Sequence, residues 1–256
     1  MVPPALLPIE YLESSAMVAA YAGSTARLAL LTPAELQVVE LWPGRAPVAI
    51  SCFEYLRTSI GAYGEVGVAW PVVRRTGARR APPLLPLLLE ARWPGLGYWV
   101  HTLPVTTDVA LHAGRSIWGY PKLLASVDFA WQGSTRTCTL AEGGAEILRL
   151  AVDTRMPAVP RRFPLRTWSV LGDELLGTRI DVDAVGLSRT ARARADLRLG
   201  PHPLGRELAE LGLRLGRPVE VRWFPTWRAR LFAAEERHRL AAAPGRTAAG
   251  TVRGAA

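Results

Sequence analysis

The stretch "GRSIWGYPKLLASVDF", residues 114–129, holds Lys122, the only lysine among 256 residues. Every other cation in the Lys+Arg total of 31 is an arginine. Asparagine is absent, and Ala, Gly, Pro and Arg abound, which is the bias of a G+C-rich genome. The arginine excess therefore carries no functional message by itself, whereas a lysine that resists the same drift does. Arginine replaces lysine well as a surface charge but not as a nucleophilic amine, because the guanidinium stays protonated. A lysine with the ordinary pKa of ~10.4 is neutral in roughly one molecule in a few thousand at neutral pH. Attack on a carbonyl needs the neutral form, and burial among apolar groups favours it. Ile117, Trp118, Tyr120, Pro121, Leu123 and Leu124 supply such surroundings, in what reads as a Gly/aromatic-rich turn. The competing reading is a lysine whose stem packs on those aromatics while its head stays in water.

Outward from this segment most of the chain reads as strands. Apolar/polar alternation or β-branched and aromatic enrichment marks 46–55, 64–73, 96–105, 125–131, 136–141, 146–152, 166–172, 177–185, 191–199 and 218–225. "AEGGAE" (141–146) between two of them is a hairpin turn. Two helices are expected. One spans 30–44, with Thr32 as N-cap, Pro33 in the first turn and Glu35 completing a capping box; the other spans 202–213. Many short strands with few helices predict a mainly β (α+β) protein built on a closed antiparallel β-barrel. Residues 1–226 are expected to form a single barrel domain. Residues 227–256 turn Ala/Arg-rich and read as a terminal helix followed by a disordered tail.

The charge of +9 permits nucleic-acid or anionic-membrane binding, but the arginines are scattered and match no nucleic-acid-binding signature. A solvated basic surface is the better reading, with no nucleic-acid and no membrane partner. Cys52 and Cys138 are too few and too distant in sequence for a disulfide framework, so two reduced thiols in a cytoplasmic protein are expected. The N-terminus carries Glu10 and Glu13 and lacks a basic leader region. "APPLLPLLLEARWPG" (81–95) is short and broken by prolines, so it is no membrane span. No nucleophile elbow, phosphate-binding loop or dinucleotide fingerprint is present. His101, His112, His202 and His238 include no pair at metal-ligand spacing, so no metal and no cofactor is expected. His101 and His112 read as hydrogen-bonded structural histidines near the lysine segment, with His101 a candidate for the pocket wall.

"GRSIWGYPKLL" resembles the signature of the acetoacetate decarboxylase superfamily, G-R-E-x-x-(G/A)-(F/Y)-P-K, whose lysine forms a Schiff base. A second block, "IGAYGEVGVAWPV" (60–72), resembles that family's G-x-Y-x-E-x-x-x-x-x-P-V strand. The segment "RARADLRLGPHPLGRELAEL" resembles its late strand and short helix. The resemblance covers about residues 25 to 225. It implies the barrel fold, a homo-oligomer, Lys122 as the imine-forming residue, and Glu65 as the carboxylate that positions substrate and manages protons.

The departures narrow what is implied. The family's second lysine, which lowers the pKa of the first, is replaced by Leu123, leaving Arg115 as the nearest cation in sequence. Ser116 stands in place of the acid of GRE, a further family glutamate falls near Ile50, and an early substrate-binding arginine has no secure equivalent around 24–27. The imine-forming pair is kept and the acetoacetate-specific groups are thinned.

A protonated imine accepts electrons from a departing carboxylate, an α C–H bond or a breaking C–C bond. Lys122 with Glu65 therefore suits decarboxylation, aldol chemistry or dehydration. The expected enzyme is a carbon–carbon lyase for a small oxo acid or biosynthetic ketide, with Trp118, Tyr120, Tyr63, Leu123, Arg115 and His101 around the substrate. Plain acetoacetate decarboxylase is the narrower alternative. A non-catalytic barrel holding a carbonyl or apolar ligand is the rival from another class.

Overall fold

The structure is a computed structural model that describes residues 7–77, 80–89, 93–155, 157, 159–189, 194–213 and 217–241. The side chains of 187–189 lie outside that description. The strands are β1 (Ile9–Ser24), β2 (Leu36–Val38), β3 (Arg45–Thr58), β4 (Tyr63–Arg74), β5 (Leu96–Thr102), β6 (Ser126–Gln132), β7 (Thr135–Glu142), β8 (Ala145–Asp153), β9 (Pro160–Leu171), β10 (Glu174–Arg189), β11 (Ala195–Leu199) and β12 (Glu220–Arg239). Among the described residues four short helices accompany them: α1 (Thr25–Leu30), α2 (Leu85–Leu88), α3 (Asp108–Trp118) and α4 (Pro203–Glu210). The protein is thus mainly β with few helices, as the sequence predicts.

Eight strands form one sheet in the order β2-β4-β3-β1-β12-β10-β9-β5, and β5 also pairs with β4. A four-stranded sheet, β11-β8-β7-β6, lies against it. The expectation of all-antiparallel pairing needs one correction. Strand β5 runs parallel to β9 over Tyr98–Thr167 and Trp99–Trp168.

Side-chain alternation gives the large sheet two faces. Ala46, Val48, Ile50 and Cys52 of β3 and Val66, Val68, Trp70 and Val72 of β4 face a core completed by Cys138, Leu140, Leu148, Leu150 and Val152 of the small sheet. Cys52 and Cys138, distant in sequence, thus share one core as free thiols. The other face carries Phe53, Tyr55 and Glu65 and encloses a cavity. The "AEGGAE" turn forms as expected, with Gly143 and Gly144 both at positive φ.

Three local expectations are overturned. The helix expected over 30–44 does not form: α1 lies before it, and Leu36–Val38 is a strand paired with Val72–Arg74. Thr32 closes α1 instead of opening a helix, donating its hydroxyl to the Leu28 carbonyl at 2.7 Å and accepting the Trp70 indole N–H at 2.9 Å. The Ala/Arg-rich segment from Trp227 is strand, not helix, as far as Arg239. Its alternation Trp227, Ala229, Leu231 inward and Arg228, Arg230 outward has period two, and pairing with β10 along its length outweighs the helix preference of alanine. Strand β12 thus runs through the boundary expected at 226, while the tail expected over 244–256 lies outside the described residues. Finally, "GRSIW" is the end of α3 and not a turn.

That helix is bounded by two signals. Thr107 caps its start by accepting the Ala110 N–H, and Gly119 closes it at φ +63. A Cβ on Gly119 would lie 2.1 Å from the Val170 carbonyl oxygen, so the position requires glycine for both conformation and space. Gly119→Ala is expected to lower stability well beyond the roughly 1–2 kcal/mol of a left-handed alanine. Gly133→Ala, at φ +57 with nothing within 4 Å of its Cβ position, should lose no more than that conformational cost. Urea denaturation midpoints of the two variants measure the difference, and equal losses would contradict it.

Candidate active site

Glu65 and Lys122 are 57 residues apart in sequence, and one short strip of chain joins them. Glu65 bridges to Val105, and Val105 bridges in turn to Leu124. The hydrogen bonds are Val66 N–H to the Pro104 carbonyl (3.0 Å), Leu103 N–H to Pro121 (3.1 Å) and Val105 N–H to Leu123 (2.9 Å). The strip after β5 therefore has β4 on one side and the lysine segment on the other. Lys122 Nζ donates to Glu65 Oε2 at 2.8 Å, with side-chain exposures of 6% and 8%. Tyr55 donates its hydroxyl to the other oxygen, Oε1, at 3.1 Å.

The lysine stem crosses α3 at Gly114. A Cβ there would lie 2.4 Å from both Lys122 Cδ and Cε. The glycine that opens "GRSIWGYPK" is thus the groove for the lysine side chain. Arg115 grips the same segment from outside, donating from Nε to the Lys122 carbonyl at 2.8 Å.

Four tyrosines gather at this end. The Tyr63 ring lies under the Lys122 ammonium, 5.6 Å from Nζ to its centroid. Its hydroxyl is 3.2 Å from that of Tyr11. Tyr55 packs between Tyr11 and Tyr63 at centroid distances of 4.5 and 4.7 Å. Tyr120 reaches Thr167 Oγ1 at 2.6 Å. Burial pushes the ionisation of all four well above the ordinary phenol value, and the Glu65 charge adds to it. They are therefore neutral hydroxyls that donate protons in hydrogen bonds and carry no charge at physiological pH.

The pair opens into a cavity of about 450 Å³ whose walls include Tyr11, Phe53, Tyr55, Glu65, Tyr120 and Lys122. Several expected wall residues lie elsewhere. Arg115 is exposed and holds backbone, so it is not a cation facing the amine. Trp118 is fully buried between α3 and β12, with its indole N–H donating to the Phe232 carbonyl at 2.8 Å. His101 faces away from the cavity because it alternates with Val100. It pairs with Glu207 at 2.6 Å and stacks on Trp70. Leu123 is half-buried outside the wall and serves through its carbonyl. Ile50, where a further family glutamate falls, faces the opposite core, and its inward neighbours are Ala49 and Ser51. Arg27 pairs with Glu210 at the surface, so it supplies no cavity cation. Of the expected residues, the structure brings Lys122, Glu65, Tyr63 and Tyr120 together.

Tyr11, Tyr55 and Trp227 escaped the sequence reading. Tyr55 is in phase with Ala49 and Ser51 on β3, and period-two counting outward from Glu65 through the β3–β4 pairing would have found it. Tyr11 belongs to the long first strand, which was read only for a leader signal.

The fold agrees with comparison to known proteins. The family model described as acetoacetate decarboxylase (ADC) matches residues 1–226. The chain belongs to the acetoacetate decarboxylase family. Three solved structures share its fold. Acetoacetate decarboxylase from Legionella pneumophila is 18% identical with a TM-score of 0.68, over 92% of this chain and 87% of that one. A second acetoacetate decarboxylase is 16% identical with a TM-score of 0.64, over 91% and 89%. The enduracididine biosynthesis enzyme MppR complexed with pyruvate is 12% identical with a TM-score of 0.62, over 94% and 92%. No curated protein matches the chain significantly in sequence. Among the described residues, no helix is long and apolar enough to cross a membrane.

Two predictions concern this geometry. Gly114→Ala should leave the protein folded but push the Lys122 stem off α3, abolishing any chemistry at Nζ. Circular dichroism and amine-directed labelling of the single lysine report the two effects, and unchanged labelling would contradict the crossing. Second, five of the six tyrosines have raised ionisation through burial: Tyr11, Tyr21, Tyr55, Tyr63 and Tyr120. Their contribution to stability is complete below the unfolded value of ~10 and is lost as pH rises above it, because the unfolded chain releases those protons first. Tyrosinate absorbance from these five residues should therefore rise only together with loss of near-UV circular dichroism.

Proposed function

We propose that the protein is a carbon–carbon lyase that forms a Schiff base between Lys122 and the carbonyl of an oxo acid or ketide. The observation that carries this reading is the buried 2.8 Å contact of Nζ with Glu65 at the wall of a mainly apolar cavity. A buried ammonium with one carboxylate neighbour has one place to send its proton, and that place is Glu65. The freed amine attacks the carbonyl carbon, and the carbinolamine loses its hydroxyl as water, with Glu65 returning the proton. The resulting iminium takes up the electron pair of the bond that breaks next. That bond is to a carboxylate in decarboxylation, leaving as CO₂, or to an α-hydrogen or a β-carbon in aldol and retro-aldol chemistry. Each route gives an enamine, which is reprotonated at carbon or attacks an acceptor aldehyde before water releases the lysine. Tyr55 holds the Glu65 carboxylate so that its second oxygen faces Nζ through these transfers.

Family membership supports the lyase class, since superfamily members include decarboxylases and aldolase-like enzymes. The altered positions favour a substrate other than acetoacetate. Ser51 and Ala49 flank position 50 where a second carboxylate would be expected, and Leu123 follows the lysine. The pairing of β5 with both β4 and β9 supports the closed-barrel reading, with the site inside the ring.

Borohydride reduction in the presence of pyruvate, acetoacetate and other oxo acids tests the proposal by intact mass. One adduct per chain, mapped to Lys122, is expected; its absence across the panel would overturn the imine reading. Lys122→Arg should fold and form no adduct. Glu65→Gln should slow adduct formation on the order of a hundred-fold or more, the usual contribution of a positioned acid–base group. An adduct with every acid but turnover of none would favour the ligand-binding rival.

A further inference from the structure

The cavity is much larger and longer than a small oxo acid requires. Its volume of about 450 Å³ falls in the range of roughly 300–1,000 Å³ that encloses drug-sized ligands. On β4 its wall is Glu65, Gly67, Ala69 and Pro71, and on β3 it is Tyr55, Phe53, Ser51, Ala49 and Pro47. Six residues from Glu65 to Pro71, at about 3.3 Å each, make a path of roughly 20 Å. The lysine therefore stands at one end of an elongated space.

The side chains change along that path. At the lysine end the wall is Tyr11, Tyr55 and Tyr120, all buried, with Tyr63 packed behind Tyr55. Beyond them the walls become small: Gly67 and Ala69 on β4 and Ala49 on β3. The opposite face of the same strands carries Val66, Val68, Trp70, Val48 and Ile50. Between Val66 and Trp70 on β4 the small residues thus lie on the inner face, at the levels where larger ones would narrow the bore. At the far end the wall includes Leu41, Leu84, Leu87 and Leu88. Leu84 and Leu88 are also 41% and 69% exposed, so the cavity reaches solvent through leucines. The other charged wall pair among the described residues, Glu220 and Arg222 on β12, satisfies itself at 2.9 Å.

We propose that the cavity selects an elongated substrate, a carbonyl compound whose carbonyl carbon reaches Lys122 and whose apolar tail lies along the inner faces of β3 and β4 with its end at Leu84 and Leu88. The carbonyl end of this assignment rests on the Schiff-base reading, whereas the tail end rests on cavity shape alone. A small oxo acid would leave the bore filled with water against apolar walls. A hydrocarbon or aromatic tail displaces that water, and affinity rises with each buried methylene.

The test measures half-saturating concentrations for borohydride trapping with straight-chain α-oxo acids from pyruvate to α-oxodecanoate. Affinity should improve by about two- to four-fold per methylene, the upper figure corresponding to ~0.8 kcal/mol per buried CH₂. Ala69→Phe and Ala49→Phe, which fill the bore, should each collapse the ratio between the longest and shortest acids. A flat or falling series in the wild type, or a ratio that survives both substitutions, would overturn the proposal while leaving the imine reading intact. A second arm removes the imine. Lys122→Met, checked for folding by circular dichroism, is titrated calorimetrically with methyl octyl ketone and with acetone. Binding of the long ketone alone supports the tail site even if no acid is ever trapped, and equal failure of both ketones would overturn it.

Discussion

The buried contact between Lys122 and Glu65 is the constraint around which the rest of the structure is arranged. Placing two charges at 6% and 8% exposure is costly, and their attraction offsets that cost only when the geometry is good and the remaining hydrogen-bonding capacity is met. The surroundings supply this. Tyr55 takes the second carboxylate oxygen, the Tyr63 ring faces the ammonium, and Gly114 leaves a groove for the stem. Removing either partner would strand a buried charge at a cost of about 3–5 kcal/mol. A pair of well-packed apolar residues would hold this position more cheaply, so its presence is better explained by proton transfer than by stability.

What makes the contact possible is backbone topology and not local preference. The strip from Leu103 to Thr106 is hydrogen-bonded to β4 through Val66 and Thr106 and to the lysine segment through Leu103 and Val105. It therefore sets the distance between Glu65 and Lys122 with no flexible element between them. Arg115, Trp118 and the Ser169 hydroxyl bonded to the Trp118 carbonyl then hold the end of α3 against that strip and against β9. Arg115 and Trp118, expected in the pocket wall, are in fact the clamp for the Lys122 segment.

This division explains what the sequence disclosed. That Lys122 and Glu65 meet was legible because one is the single lysine of an arginine-rich chain and the other sits in a recognisable block. Most strands were legible because period-two alternation survives wherever one face is buried. The direction in which a side chain points was not legible near the site. His101, Trp118 and Leu123 lie close to Lys122 or the cavity strands in sequence, but strand alternation and the turn at Gly119 send them away. Tyr11 and Tyr55 arrive from β1 and β3 through pairings that no local signal announces. Alanine in β12 and the Thr-Pro-x-Glu motif after α1 were misleading for a related reason. Both carry helical preferences worth at most about a kilocalorie per residue, which sheet pairing outweighs.

The same alternation shows how a protein with an open interior remains stable. A large cavity forgoes the packing that its walls would otherwise gain, so apolar burial has to be found elsewhere. Here it is found on the outer face of the same strands. Val48, Ile50, Val66, Val68, Trp70 and Val72 pack against Leu140, Leu148, Leu150 and Val152 of the small sheet. Residues that shape the bore and residues that stabilise the fold therefore alternate along β3 and β4. Over Ala46–Phe53 and Glu65–Val72 the even-numbered positions face the core and the odd-numbered ones face the cavity, so substitutions at the former act on stability and at the latter on what fits inside. Substrate preference can consequently change by mutation of Ala49, Gly67 or Ala69 with little disturbance to the core behind them, provided that Glu65 keeps its phase on β4.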